Sequence, residues 1–269
     1  MTEIDRKLDR LRKLVRSYGS AAVAFSGGMD STLVTKIARD ELAETVAVTV
    51  DSPMYPRSEL AKARDVAKRI GIEHVVIKTD PLKESHFTAN PPDRCYLCKL
   101  DDLRQIRGLA QERGLDHVLD GSNRDDRNDY RPGLRAKEEM RVKSPLEEAG
   151  LTKADVKAIS RKLRLPTASK SPSPCLASRI PYGETITIEK LRMVEEAEEF
   201  LRAKGFDDVR VRIHGQSARI EVASKDIPRL ANPGTRISVT RKLKSLGFTY
   251  VSLDMEGYRM GSMNEVLRR

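Results

Sequence analysis

Two sets of residues in this 269-residue chain carry chemistry by type and spacing. The first is Ser26-Gly27-Gly28-Met29-Asp30-Ser31, set between the apolar run Ala21–Phe25 and a helical stretch that reaches about Leu42. A buried strand that turns through small residues into a helix aims unpaired backbone N–H groups and the positive helix end at one spot, which makes an anion site. Gly27 and Gly28 let the backbone approach a ligand closely, and Ser26 and Ser31 bound the turn. The loop lacks the Gly-Lys-Ser/Thr ending of a Walker loop, so no lysine escorts a transferring γ-phosphate. Pyrophosphate suits it better, with Asp30 placed to bind Mg2+. The plain alternative is a glycine-rich turn that only makes room for packing.

The second set is the three cysteines. Cys95 and Cys98 form a C-x-x-C at a helix start, flanked by Arg94 and Lys99, where cations and the helix dipole lower thiol pKa values. Cys175 sits far along the chain in the proline-rich stretch Ser-Pro-Cys-Leu-Ala-Ser-Arg. Three thiolates can hold three corners of a 4Fe-4S cluster and leave one iron open to an exogenous sulfide. Zinc, a redox dithiol at Cys95 and Cys98, and three inert buried thiols are the other readings. His74, His86, His117 and His214 form no ligand spacing.

Arg210 and Arg212 lie two apart on a predicted strand, Val209–His214, so they share a face and could clamp a phosphate; a solvated basic strand face is the rival reading. Arg179 follows Cys175 closely and would bind a phosphate or a carboxylate, or else pair with an acid. Gly121 and Asn123 end a predicted strand on the side where ligands gather in open α/β sheets, although an ordinary Asn/Gly turn explains them too. Asp125, Asp126 and Asp129 would coordinate Mg2+ or simply form a charged surface loop. Glu198, within Glu195-Glu196-Ala197-Glu198-Glu199, reads first as part of a solvated helix face.

These residues need elements to position them. Helical spacing covers residues 4–18, 58–70, 95–113, 134–140, 152–163 and 188–203, with Thr152 as an N-cap, while β-branched or apolar runs predict strands at 21–25, 45–50, 74–78, 117–119, 209–214, 218–223 and 250–253. In the first part strand and helix alternate, which predicts a parallel α/β sheet, and Phe87–Asp93 reads as a loop. Leu165–Gly183 carries four prolines and no periodicity. The expected layout is an α/β domain over 1–166, a linker over 167–183 that carries Cys175, and a smaller α+β domain over 184–269 with one short helix before its last strand.

Composition narrows the class. The net charge of +10 favours anionic ligands without choosing among them. Aromatics make up 4% of the residues and Trp is absent, so a stacking platform for single-stranded nucleic acid is poorly supplied. No apolar run approaches the roughly 20 residues of a membrane helix, and the charged start lacks a signal-peptide core; a soluble cytoplasmic protein is expected. Three cysteines in a reducing compartment argue against structural disulfides.

The hexapeptide Ser26–Ser31 resembles the signature of the N-type ATP pyrophosphatases (PP-loop, adenine nucleotide α-hydrolase-like proteins), which adenylate a substrate and release pyrophosphate. Together with Asp120-Gly121-Ser122-Asn123-Arg124-Asp125-Asp126, residues 129–135 (Asp-Tyr-Arg-Pro-Gly-Leu-Arg) and 173–183 (Ser-Pro-Cys-Leu-Ala-Ser-Arg-Ile-Pro-Tyr-Gly), nearly the whole chain is similar to the LarE family. These are ATP-dependent sulfur transferases that build the nickel-pincer nucleotide cofactor of lactate racemase. The resemblance implies adenylation of a carboxylate of pyridinium-3,5-biscarboxylate mononucleotide and its conversion to a thiocarboxylate, with ATP and Mg2+. It places Arg210, Arg212 and Glu198 near the substrate, where Arg179 is also expected from its closeness to Cys175. It also implies one of two sulfur sources: Cys175 giving up its own sulfur and becoming dehydroalanine, or a 4Fe-4S cluster on Cys95, Cys98 and Cys175 carrying sulfide from a donor. All three cysteines are present, which favours the cluster. A homo-oligomer, even a hexamer, is implied as well. The rivals are a tRNA thiolase of the same superfamily and a non-enzymatic nucleotide sensor or iron–sulfur carrier.

Overall fold

A computed structural model describes residues 2–128, 133–170, 174–259 and 261–268. The chain divides into two compact units, one of Met1–Ser52, Arg57–Asp80 and Asp93–Ser173, the other of Pro53–Pro56, Pro81–Pro92 and Pro174–Arg269.

The first unit begins with α1 (Glu3–Arg16), set by a capping box in which the Asp5 N–H donates to the Thr2 hydroxyl and the Thr2 N–H donates to the Asp5 carboxylate. Then come β1 (Ser20–Ala24), α2 (Met29–Glu41), β2 (Glu44–Asp51), α3 (Arg57–Ile70) and β3 (His74–Lys78). After α4 (Ser85–Thr88), which belongs to the second unit, α5 (Arg94–Glu112), β4 (His117–Leu119), α6 (Gly133–Glu139), α7 (Pro145–Glu148) and α8 (Lys153–Lys162) follow. The four strands are parallel in the order β3-β2-β1-β4, as the alternation of strand and helix predicts. Alternate residues of β1 serve opposite faces: Ala21 and Val23 pack with Leu11, Leu33, Ile37 and Ile159, while Ala22 packs with Val46, Leu103 and Ile106. Burial on both faces explains why β1 reads as a continuous apolar run rather than an alternating one.

The strand order decides where a ligand fits. From β1 the chain proceeds through β2 to β3, and β4 then adds on the other side of β1. The loops after β1 and β4 therefore flank the point where the winding reverses, the place at which open α/β sheets leave a crevice. Ser26–Ser31 and Asp120–Asn123 are those two loops.

In the second unit α9 (Ile188–Ala203) precedes β5 (Arg210–His214) and β6 (Ser217–Glu221), and then come α10 (Ile227–Ala231), α11 (Pro233–Ser245) and β7 (Tyr250–Leu253). The sheet order is β5-β6-β7, with β5 antiparallel and β7 parallel to β6. Two helices stand where one short helix is expected, because Asn232 accepts from the Gly234 N–H and Pro233 occupies the first turn, so this pair starts a helix instead of ending one. Residues 85–88, partly read as loop, form α4. Segments 53–56 and 81–92 are tied to the later chain by backbone bonds: Leu176 N to Met54 O (2.7 Å), Gly183 N to Asn90 O (3.0 Å) and Ile186 N to Thr88 O (2.9 Å). Among the described residues no helix is long and apolar enough to cross a membrane.

Candidate functional site

The loop after β1 is shaped by glycine geometry and by bonds among its own serines. Gly27 adopts φ +64°, and a Cβ there would stand 2.9 Å from the Ala63 Cα of α3, so both the backbone angle and the close approach require glycine. Gly28 is the N-cap of α2, and no side chain caps that helix. Ser31 folds back inside the turn, its Oγ lying 3.0 Å from Ser26 Oγ and 3.3 Å from both Ser26 N and Gly28 O. An uncapped helix start behind a glycine turn is a geometry that suits an anion.

Asp30, on the first turn of α2, accepts from Asn123 Nδ2 (3.4 Å) and is ion-paired with Lys153, the first residue of α8. Asn123 is buried and ordered by its neighbours, with its backbone N–H donating to the Asp126 carboxylate (3.0 Å) and its side-chain Oδ1 accepting from the Asp125 N–H (3.0 Å). The Asp126 carboxylate thus serves the loop's own backbone, while that of Asp125 accepts from the Lys153 N–H at 2.8 Å; Asp129 lies outside the described residues. On the other flank Lys170 donates to Gly27 O (2.9 Å) and pairs with Glu59 (2.6 Å).

Below the cradle, Asp120 is a buried carboxylate at the end of β4. It accepts from Ser144 Oγ (2.7 Å) and Ser122 Oγ (2.8 Å) and faces Lys137 at 3.4 Å. Burial alone would raise its pKa, but the charges of Lys137 and Lys99 and the two hydroxyls outweigh it and hold the carboxyl below its ordinary range.

In the second unit a network of buried arginines and glutamates surrounds the turn that carries Cys175. Arg179 Nε and Nη2 donate to Glu198 at 2.7 and 2.8 Å, and its Nη1 donates to the carbonyls of Pro174 and Cys175, both at 3.0 Å. Glu198 is fully buried, which corrects its reading as a solvated helix residue. The helical period explains the difference: Leu191, Val194, Glu198 and Leu201 form one stripe of α9, so Glu198 was placed on the apolar face by its spacing while its acidic neighbours stay outside.

Arg210 and Arg212 do share a face of β5, and both are buried rather than part of a solvated strand face. They differ in company. Arg212 is bound to Glu221 (2.9 Å) and donates to Ser178 O (3.0 Å). Arg210 donates to its neighbour's carbonyl, Val209 O (2.7 Å), and lies over the Tyr258 ring at 4.8 Å, with no carboxylate ion-paired to it among the described residues. Burial, and then the like charge of Arg179, pull its pKa down. A buried guanidinium with that little compensation invites an anion.

All three cysteines are thiols, Cys95 exposed and Cys98 and Cys175 half-buried. Cys95 lies in the first turn of α5 and Cys98 just after it; the N-cap Asp93 makes no side-chain cap bond, and both cysteines belong to the first unit, whereas Cys175 belongs to the second. Among the described residues no group of three or more His, Cys, Asp or Glu side chains is gathered as a metal site. Sequence reasoning passed over Lys153, Lys170 and Glu221. For Lys153 the only local signal is the capping box of Thr152 and Asp155, which fixes it as the first residue of a helix but not what it faces.

Comparison with known proteins bears on both units. Residues 20–91 match the family of the queuosine biosynthesis protein QueC. The chain is 38% identical, over 100% of its length and 98% of the relative's, to the pyridinium-3,5-bisthiocarboxylic acid mononucleotide synthase of Lactiplantibacillus plantarum. It is 42% identical over 99% of its length, and all of the relative's, to an uncharacterised protein of Synechocystis. A tRNA-specific 2-thiouridylase of Azorhizobium caulinodans is 29% identical over 63% of this chain and 53% of its own.

Proposed function

This chain belongs to the LarE family of PP-loop enzymes, ATP-dependent sulfurtransferases, and on that premise we propose that it adenylates a carboxylate of pyridinium-3,5-biscarboxylate mononucleotide and converts it to a thiocarboxylate. The observation that carries the first half-reaction is the uncapped start of α2 behind Gly27 and Gly28. Its amides suit the pyrophosphate end of ATP, and Asp30, a hard oxygen donor on the same turn, would hold Mg2+. A substrate carboxylate oxygen bonds to the α-phosphorus and pyrophosphate leaves. The acyl adenylate is then open to sulfur attack, since AMP is a far better leaving group than oxide.

Arg210 supplies the charge for the substrate's phosphate, being a buried cation with no carboxylate ion-paired to it among the described residues. Arg179, engaged by Glu198 and by the carbonyls of Pro174 and Cys175, positions the cysteine turn. The thiolate chemistry of Cys95, Cys98 and Cys175 fits the ligands of a 4Fe-4S cluster, which when bound supplies sulfide on its open iron. Sacrifice of the Cys175 sulfur is the alternative source. Family membership also supports a homo-oligomer, which light scattering reads directly.

The test is anaerobic purification with iron and acid-labile sulfide counts, then turnover with ATP and the mononucleotide, followed by intact mass. The expected result is pyrophosphate release that needs both substrates, a protein mass unchanged by turnover, and iron that disappears in Cys95→Ala. A protein lighter by the mass of hydrogen sulfide would sink the cluster source. Pyrophosphate release with tRNA in place of the mononucleotide would sink the substrate assignment.

A further inference from the structure

We propose that Asn90 is the positioning residue of the Cys175 turn: its side-chain amide holds the carbonyls of Ile180 and Pro181, and so fixes where the sulfur-bearing turn stands for transfer. The inference rests on the reading of Cys175 as part of the sulfur site and adds a residue that no quoted motif contains.

Asn90 lies in the left-handed region, with φ +58°, and is wholly buried. Asparagine adopts that angle more readily than most residues with a Cβ. A buried amide needs hydrogen-bond partners, and here Nδ2 donates to Pro181 O at 2.6 Å and to Ile180 O at 3.3 Å. The Asn90 carbonyl in turn accepts from the Gly183 N–H at 3.0 Å, so one residue grips the segment 180–183 through both its side chain and its backbone. Only a short side chain with two N–H donors does this. An aspartate would present a negative charge to the same carbonyls, and glycine matches the angle without the amide.

The grip bears on sulfur because of what the turn carries. Cys175 caps the single helical turn Leu176–Arg179, which is followed by a bond from the Ile180 N–H to Ala177 O at 3.1 Å. At its start the turn is held by the Leu176 N–H on Met54 O, at 2.7 Å; at its end Asn90 holds it. Leu176, Ala177 and Ile180 are buried between the two, so the Cys175 backbone is set from both ends while its thiol stays half-buried. Sulfur transfer to an acyl adenylate depends on such placement, since a displacement of about 1 Å can cost roughly a hundredfold in rate.

Hydrogen exchange read by mass spectrometry on the full chain, with wild type, Asn90→Gly and Asn90→Asp compared, tests the grip. The peptide spanning 174–187 should exchange about tenfold faster in Asn90→Gly, the scale of losing buried hydrogen bonds, and faster still in Asn90→Asp. The peptide spanning 20–35, and ATP affinity, should change by less than about twofold, because the opening is local. The functional readout is thiocarboxylate formed per pyrophosphate released, which should fall several-fold in both variants. Wild-type exchange of 174–187 in Asn90→Gly overturns the proposal, since the backbone angle alone would then hold the turn. Equal acceleration of both peptides overturns it as well, because Asn90 would be stabilising the whole chain. A loosened turn with an unchanged ratio removes the positioning role. Wild type that makes no thiocarboxylate sinks the sulfur reading and the positioning role with it, and is told apart because the grip then still shows in exchange.

Discussion

Gly121 stands directly against Ser31: a methyl group on its Cα would lie 2.7 Å from the Ser31 nitrogen and 3.0 Å from the Asp30 carbonyl carbon. The end of β4 therefore seats the first turn of α2, and the two loops at the reversal of the sheet are set by one backbone contact. Gly121→Ala cannot be absorbed by a side-chain rotation, since the atoms it meets are backbone. It should cost about 1–3 kcal/mol in urea unfolding, as overpacking does. ATP affinity should fall further than stability implies, because the displaced atoms belong to the cradle. Wild-type ATP affinity in the variant would show that this contact does not set the loop.

Gly27 and Gly28 are adjacent but should respond differently. Gly27→Ala combines a left-handed backbone angle with a 2.9 Å approach to the Ala63 Cα, and the angle alone costs about 1–2 kcal/mol for a residue with a Cβ. Gly28 has φ −82°, and its Cβ would meet only the Ser26 hydroxyl at 3.2 Å, a group that can rotate. Chemical denaturation should find Gly27→Ala clearly destabilised and Gly28→Ala close to wild type, with nucleotide binding impaired in both.

Glu198 makes stability depend on acid. Burial pushes its pKa up, but the bonds and charge of Arg179, followed by Arg202 and Arg210, more than reverse this and hold it below the ordinary carboxylate range. A group whose pKa is depressed by folding contributes stability above its unfolded value and loses it as pH falls through the folded one. Glu198→Gln should therefore lower stability at neutral pH, by up to about 3–5 kcal/mol for a broken buried pair, and the difference from wild type should narrow below about pH 4. Parallel unfolding curves from pH 7 to 3 measure it. A constant difference across that range would mean that the Glu198 charge is not what holds Arg179.

Arg210 and Arg212 should separate cleanly by substitution. Arg212→Met leaves Glu221 without its closest buried partner and should lower the melting temperature. Arg210→Met removes a buried cation that no described carboxylate ion-pairs, and should leave the free protein as stable as wild type or more so. Millimolar inorganic phosphate should raise the wild-type melting temperature and leave that of Arg210→Met unmoved. A phosphate shift retained in Arg210→Met would remove Arg210 from the anion site.

The parts of this molecule legible along the chain are those in which neighbours in sequence are also the cause. The β1–loop–α2 unit, the α1 and α8 capping boxes, and the strands at 74–78, 117–119 and 250–253 follow from periodicity, apolar runs and side-chain caps within a few residues. The quoted motifs were enough to reach the LarE family. Glu198 reads as solvated because it is one of four glutamates in five residues, although its spacing from Val194 and Leu201 sets it on the apolar face.

The sequence by itself determined a parallel α/β unit with a glycine turn at the head of a helix, and the kinds of group available for adenylation and sulfur chemistry. Which of those groups are committed and which are left to a ligand was decided only by tertiary structure. Lys153 against Asp30, Lys170 against Glu59, and Glu221 against Arg212 rather than Arg210 are pairings between distant or cross-strand residues. The physical reason is that a charge reads the same on any helix or strand, whereas its burial and its counter-charge exist only once the elements have packed.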